Sequence, residues 1–215
     1  MADTPATAAD PQAEAFWDAR FANPAYVFGE APNRFLVEQA HRLPAGADIL
    51  AVADGEGRNG VWLAEQGHHV MSADISANGQ RKARDLAARR GVTLDFRIAD
   101  LATWAWPEAA FDAVAAIFIQ FAGPDLRARM FEGMKRAVRP GGLILLQGYR
   151  PEQLGYGTGG PSAIENLYTE ALLRDLFADW QIEHLHASDH DIEEGLGHKG
   201  MSALIELVAR RPAAG

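Results

Sequence analysis

A short apolar run, Ile49-Leu50-Ala51-Val52-Ala53, enters a turn with three glycines, Gly55-Glu56-Gly57-Arg58-Asn59-Gly60, and Val61 to Gln66 continues as a helix. This order limits the possible folds more than any other feature of the chain. A strand that is apolar without alternation is buried on both faces, as in parallel sheets covered by helices. Glycines after such a strand let the backbone approach a ligand, and the helix that follows offers free N–H groups at its start. Asp74 closes the next apolar run, about twenty residues on, where a carboxylate accepts both hydroxyls of a ribose.

The same alternation continues. Ser76 caps a helix that reaches Arg90 and stops at Gly91, and residues 93–98 read as a third strand. Residues 111–118 read as a fourth strand. Pro124 opens a helix with Leu126, Met130, Met134 and Val138 on one side. Arg139-Pro140-Gly141-Gly142 breaks it, and residues 143–146 form a fifth strand. The tail departs from this pattern. After a helix near 169–178, residues 180–187 and 201–209 both read as strands, with no room for a helix between them, so they pair antiparallel. The expected fold is α/β: a Rossmann-like doubly wound sheet of about seven strands, mostly parallel, closed by a hairpin. One domain is expected over 1–215, with a helical cap at 1–46 and the core at 47–215. In the cap, a short helix carries Phe16 and Trp17, and a second starts near Pro32 and ends before Pro44. Residues 1–10 are small and polar and are expected to be mobile.

Composition removes several function classes. There is no cysteine, which excludes a thiolate zinc site, an iron–sulfur cluster and a cysteine nucleophile. Twenty basic against 29 acidic residues leave a net charge of −9, which disfavours a nucleic-acid partner. No run of ~18 apolar residues exists to span a membrane. MADTPATAAD lacks a basic segment followed by an apolar one, so no signal peptide is expected and the cytoplasm is the default location. His184, His186, His190 and His198 match no metal-ligand spacing, and no metal is expected.

Two ligand classes share the strand–glycine turn–helix–strand–Asp layout: dinucleotides and S-adenosyl-L-methionine. The second is favoured by a helical segment before the first strand, by the lack of room for a separate substrate domain, and by the closing hairpin. Asp100, just past the third strand, is placed to meet an adenine amino group.

On these residues the chain resembles the class I S-adenosylmethionine-dependent methyltransferases. Within them, Phe16-Trp17-Asp18-x-Arg20-Phe21, Tyr26-Val27-Phe28-Gly29, Pro32-Asn33-x-Phe35-Leu36 and Gly55-Glu56-Gly57-Arg58-Asn59 are similar to small bacterial enzymes grouped with tellurite-resistance and thiopurine methyltransferases. The family's usual acidic residue near the end of the first strand is Ala51 here, its first turn glycine is Ala53, and a position that often carries His is Gln120.

The resemblance implies methyl transfer to a small-molecule acceptor by in-line displacement. It implies cofactor contacts from Arg20, Tyr26, Asp54, Gly55, Gly57, Asn59, Asp74, Ile75, Asp100, Leu101 and Ile117. Trp104 and Trp106 are candidates to cover an adenine. Gln120 is a candidate to orient the acceptor, Tyr149 and Tyr156 to meet it from the long glycine-rich loop 149–166, and His198 to reach the cleft mouth. Arg81, Lys82, Arg84, Arg89 and Arg90 read as a solvated helix face. Two other readings stay open: a dinucleotide-dependent oxidoreductase, and a nucleoside-binding protein without catalysis.

Overall fold

A computed structural model describes residues 11–213. The expectation for residues 1–10 lies outside these. The cap contributes α1 (Pro11–Phe21) and α2 (Arg34–Gln39), the latter continued by a 3-10 turn at Ala40–Arg42. The core follows as β1 (Asp48–Val52), α3 (Arg58–Glu65), β2 (His69–Asp74), α4 (Ala77–Arg90), β3 (Asp95–Ile98), β4 (Phe111–Ile117), α5 (Pro124–Ala137) and β5 (Val138–Tyr149). Then come α6 (Gln153–Tyr156), α7 (Glu170–Leu176), β6 (Gln181–Glu193) and β7 (Lys199–Arg210).

The seven strands form one sheet in the order β3-β2-β1-β4-β5-β7-β6. β1 to β5 run parallel, and β7 is antiparallel to both of its neighbours, as the expected hairpin requires. The order reverses between β1 and β4. In open α/β sheets the crevice at the carboxyl ends of such strands takes ligands.

Alternate residues of the central strands feed two cores. Leu50, Val52, Val114, Ile144 and Leu146 pack with Met130, Phe131 and Met134 of α5 and Phe177 after α7. Ile49, Ala51, Ala113, Leu143 and Leu145 pack on the other face with Phe35, Leu36 and Leu63. This explains the unbroken apolar runs: each position has a buried side to fill. Burying one such Leu or Ile contributes roughly 1.5–3 kcal/mol before opposing entropy. No helix among the described residues is long and apolar enough to cross a membrane.

Three boundaries differ from the sequence expectation. β5 begins at Val138, directly after α5, and runs through Pro140-Gly141-Gly142. The Gly141 N–H donates to Arg211 O at 3.0 Å, and Arg211 N–H donates to Gly142 O at 2.9 Å, so the chain beyond β7 keeps this stretch extended. β6 continues to Glu193 and β7 starts at Lys199, because the polar segment Ser188 to Glu193 pairs residue by residue with Leu204 to Lys199. The 149–166 loop contains α6 and a 3-10 turn at Ile164–Asn166.

Candidate active site

The chain leaves β1 through Ala53 at φ 48° and Gly55 at φ 56°, and enters α3 through Gly57 at φ 87°. Positive φ at an alanine is uncommon and marks a turn held by its surroundings. Asp54 provides that hold. Its carboxylate accepts from the Gly60 N–H at 3.1 Å and the Ser72 hydroxyl at 2.8 Å. Burial pushes its pKa up to about 7, opposed by these two hydrogen bonds. Asp74 ties two turns together, accepting from the Gly55 N–H and the Ser76 N–H, each at 2.8 Å. Burial raises its pKa to about 6 against the pull of its backbone donors.

Above these turns lies a cavity of about 520 Å³, lined from the ends of β1, β2, β3 and β4, from α1 and from the tip of the β6–β7 hairpin. Most of the residues expected at the site meet here: Arg20, Asp54, Gly55, Asn59, Asp74, Ile75, Asp100, Leu101, Ile117, Gln120, Tyr149 and His198. Asp100 curls its carboxylate onto its own turn, accepting from the Ala102 N–H at 2.9 Å.

Two expected residues stand outside the cavity lining. Tyr26 is turned onto α4: its hydroxyl donates to Lys82 O at 2.9 Å, and the side chains of Lys82 and Arg89 lie over its ring. Gly57 faces α4, where a Cβ would come 2.6 Å from Cβ of Ala83, so its role is close helix packing. Two further expectations are corrected. Trp104 and Trp106 pack on the α5 core rather than over the cavity, and Trp106 occupies the space a Cβ on Gly133 would need. Tyr156 and Arg150 clasp Asp189 of β6 and do not line the cavity.

Gln120 lines the cavity, but its amide is engaged elsewhere. Nε2 donates to Tyr149 O at 2.9 Å and Asn166 O at 3.0 Å, and Oε1 accepts from the Tyr149 N–H. It positions the end of β5 rather than offering a free amide to an acceptor.

The roof is made by two segments distant in sequence. The N–H groups of Leu196 and Gly197 donate to Val27 O at 2.8 and 3.1 Å, which joins the hairpin tip to the cap loop. The His198 ring lies between Phe28 and Phe118, with ring centroids at 4.7 and 4.2 Å. Phe118 adopts φ 56° at the end of β4, a strained conformation that turns the chain where the ring meets His198. The Tyr149 hydroxyl completes the group at 2.7 Å from His198 Nδ1. Burial, then the charges of Arg58 and Arg20, lower the His198 pKa to about 3. Burial raises that of Tyr149, so both side chains are neutral across the ordinary pH range.

Sequence reasoning missed several residues that build this site. Lys82 is buried rather than solvated. It pairs with buried Glu56 and donates to Asn23 O at 2.8 Å and Ala25 O at 2.6 Å, while Glu56 accepts from the Phe28 N–H. Glu194 gathers Arg58 at 2.6 Å and the Asn33 amide at 3.0 Å under the hairpin tip. No local pattern carried these roles, because each depends on a partner far along the chain. Among the described residues, no three of His, Asp and Glu come together as metal ligands.

Residues 49–142 match the family model described as a methyltransferase domain. The matched span runs from β1 into β5 and contains the glycine turn, Asp74, Asp100 and Gln120. A protein of Mycobacterium tuberculosis without an assigned activity is 32% identical over 115 residues, which cover 53% of this chain and 41% of that relative. The match thus spans about two fifths of the length of that relative. The 2-heptyl-1-hydroxyquinolin-4(1H)-one methyltransferase of Mycobacteroides abscessus is 22% identical over 182 residues, covering 81% of this chain and 78% of its own. A solved structure from work on conversion of a disulfide bond into a thioacetal group in echinomycin biosynthesis shares the fold, with a TM-score of 0.76, 21% identity, and coverage of 94% and 93%. The match to that family model supports S-adenosylmethionine as the cofactor. The residues fit that group: an acidic side chain sits at the glycine turn, the walls are largely apolar, and Arg58 lines the cavity with a buried Nη1 that has no partner among the described residues.

Proposed function

We propose that the protein transfers a methyl group from S-adenosylmethionine to a small-molecule acceptor. One observation carries this reading. Asp74 holds the Gly55 N–H at the floor of the cavity, and a carboxylate oxygen keeps a second lone pair for a ribose hydroxyl. The volume of about 520 Å³ lies in the range of small-molecule sites.

When bound, the cofactor supplies a methyl group already activated on a sulfonium. The chain therefore has three tasks: to align, to exclude water and to cover a cation. Asp74 orients the nucleoside from its ribose side, with Asp100 and Leu101 at the adenine. Arg20, exposed at the cavity beside Phe28, faces the amino-acid end. Phe28, Phe118 and Tyr149 present aromatic faces, which suit a sulfonium. Tyr149 and His198 form the wall for the acceptor. An acceptor hydroxyl that gains the methyl group releases its proton to solvent, because burial and the charges of Arg58 and Arg20 disfavour a cation on His198; the neutral imidazole orients the acceptor at that wall. The cap motifs and Gly55-Glu56-Gly57-Arg58-Asn59 place the protein with the tellurite-resistance and thiopurine methyltransferase-like enzymes in this reading, as a single folding unit over 1–215 that acts in the cytoplasm.

Calorimetric titration with S-adenosylhomocysteine, and with NAD in parallel, tests the reading. S-adenosylhomocysteine is expected to bind and NAD not. Binding of NAD alone would favour an oxidoreductase and sink the proposal.

A further inference from the structure

Arg58 is the most unusual charged residue of the cavity. Its side chain is only 7% exposed, and one nitrogen, Nη2, donates to Glu194 at 2.6 Å. The other, Nη1, is buried without a partner among the described residues. A buried guanidinium N–H left unmatched is expensive, and in native structures such a group marks strain, a functional role, or a bound water or ion. The surroundings favour an anion. Arg20 enters the same cavity with no ion pair of its own among the described residues, and both cations act on the neutral ring of His198. The acidic groups around them are engaged: Glu56 by Lys82, Glu194 by Arg58 and Asn33, Asp54 by Ser72 and Gly60.

We infer that Arg58 is an anion-binding residue of this cavity, taking a carboxylate or similar oxyanion on its Nη1 while Glu194 holds Nη2. Planar guanidinium and carboxylate groups match in geometry, and the bond is charge-assisted. The inference rests on the proposed methyl transfer only for naming the two sources of such an anion. One is the amino-acid carboxylate of the S-adenosyl ligand. The other is an acidic group on the acceptor, which would make the acceptor a small organic acid.

The test uses the full chain as wild type, Arg58→Gln and Glu194→Gln, each checked by a melting curve. Three probes are titrated: S-adenosylhomocysteine, methylthioadenosine, which lacks the amino-acid carboxylate, and benzoate added to protein saturated with S-adenosylhomocysteine. If the cofactor is the source, Arg58→Gln weakens S-adenosylhomocysteine about tenfold or more and leaves methylthioadenosine within about twofold. If the acceptor is the source, benzoate binding is lost in Arg58→Gln while both nucleosides are unchanged. In either case Glu194→Gln, which removes the competing carboxylate, leaves anion binding equal or tighter. A purely structural ion pair predicts the opposite: both variants weaken every probe alike. That result, or no change in Arg58→Gln, overturns the inference. Wild type that binds neither nucleoside would refute the proposed function, and benzoate added alone to wild type and Arg58→Gln would then decide the role of Arg58.

Discussion

The Tyr149 hydroxyl lies 2.7 Å from Nδ1 of His198, and that imidazole is stacked between two phenylalanine rings. The contact joins the end of β5 to the start of β7, so the cavity wall depends on the strand pairing that the hairpin provides. It also fixes His198 in a place where a charge is disfavoured.

A lowered imidazole pKa has a defined sign for stability. Above pH 6.5 the ring is neutral both folded and unfolded and contributes no pH dependence. Below 6.5 the unfolded chain takes up a proton that the folded chain refuses until about pH 3, so stability falls through that window. At pH 4.5 the loss reaches roughly 2–3 kcal/mol. Asp54 and Asp74, whose pKa values are raised, work in the opposite direction on acidification, so the difference between wild type and a variant isolates the ring. His198→Gln is neutral at every pH and keeps an acceptor for Tyr149. Its melting temperature is expected to fall less than that of wild type between pH 7 and 4.5. Parallel curves for the two proteins would show that His198 titrates normally.

Asp74 is expected to set both the affinity for S-adenosylhomocysteine and its pH dependence. Ribose hydroxyls donate to the ionised carboxylate, so affinity stays level above pH 7 and declines below pH 6, the value to which burial raises this group. Because Asp74 also receives the Gly55 and Ser76 N–H groups, an alanine would strand two backbone donors and disturb the turn itself. Asp74→Asn is the less disruptive variant, since it keeps one acceptor oxygen and sets its NH2 against a single backbone N–H. It should weaken binding about 10- to 100-fold and flatten the acid limb. Calorimetry at pH 5.5 and 8 decides, and an unchanged acid limb in Asp74→Asn would assign that limb to another group.

The extent to which sequence revealed this protein follows from the range of the forces involved. The strands, the glycine turn and Asp74 were legible because each is written locally: an apolar run, a φ-permissive turn, a carboxylate at a strand end. The polar half of β6 was not, because an edge strand need not be apolar on either face, and Ser188 to Glu193 resemble a loop. Tyr26 and Lys82 were misjudged for a related reason. A helix pattern with five basic residues reads as solvated, and only the cap folding over α4 buries one of them. Beyond the glycine turn, Arg58 has no signature that separates a buried guanidinium from an exposed one.

Lys82 is expected to hold the cap. It donates to two carbonyls of the 23–25 segment and pairs with Glu56, which in turn accepts from Phe28 N–H. Lys82→Met leaves Glu56 buried without its cation, which for such pairs costs about 3–5 kcal/mol. Amide exchange in residues 23–28 should quicken more than elsewhere. If exchange rises uniformly across the sheet, the lysine supports the whole fold rather than the cap.

Gln120 is expected to behave as a positioning residue, and the contrast with an acceptor-orienting role can be measured. Its amide meets three backbone groups: the N–H and C=O of Tyr149 and the C=O of Asn166. Gly148 lies against the same amide, since a Cβ there would come 2.6 Å from Gln120 Oε1, so the side chain has no room to swing toward a ligand. Gln120→Leu keeps the volume and removes every hydrogen bond. With each stranded buried group costing about 1–3 kcal/mol, the variant should lose about 3 kcal/mol or more. Gln120→Glu keeps Oε1 for the Tyr149 N–H but sets a carboxylate against two carbonyls, so it should be destabilised as well, and more at pH 8 than at pH 5. Binding of S-adenosylhomocysteine to the folded fraction should change by less than about threefold in both, because Asp74 and the glycine turn are untouched. Thermal melting and calorimetry on the same samples separate the outcomes. Wild-type stability with lost turnover in Gln120→Leu would return Gln120 to the acceptor.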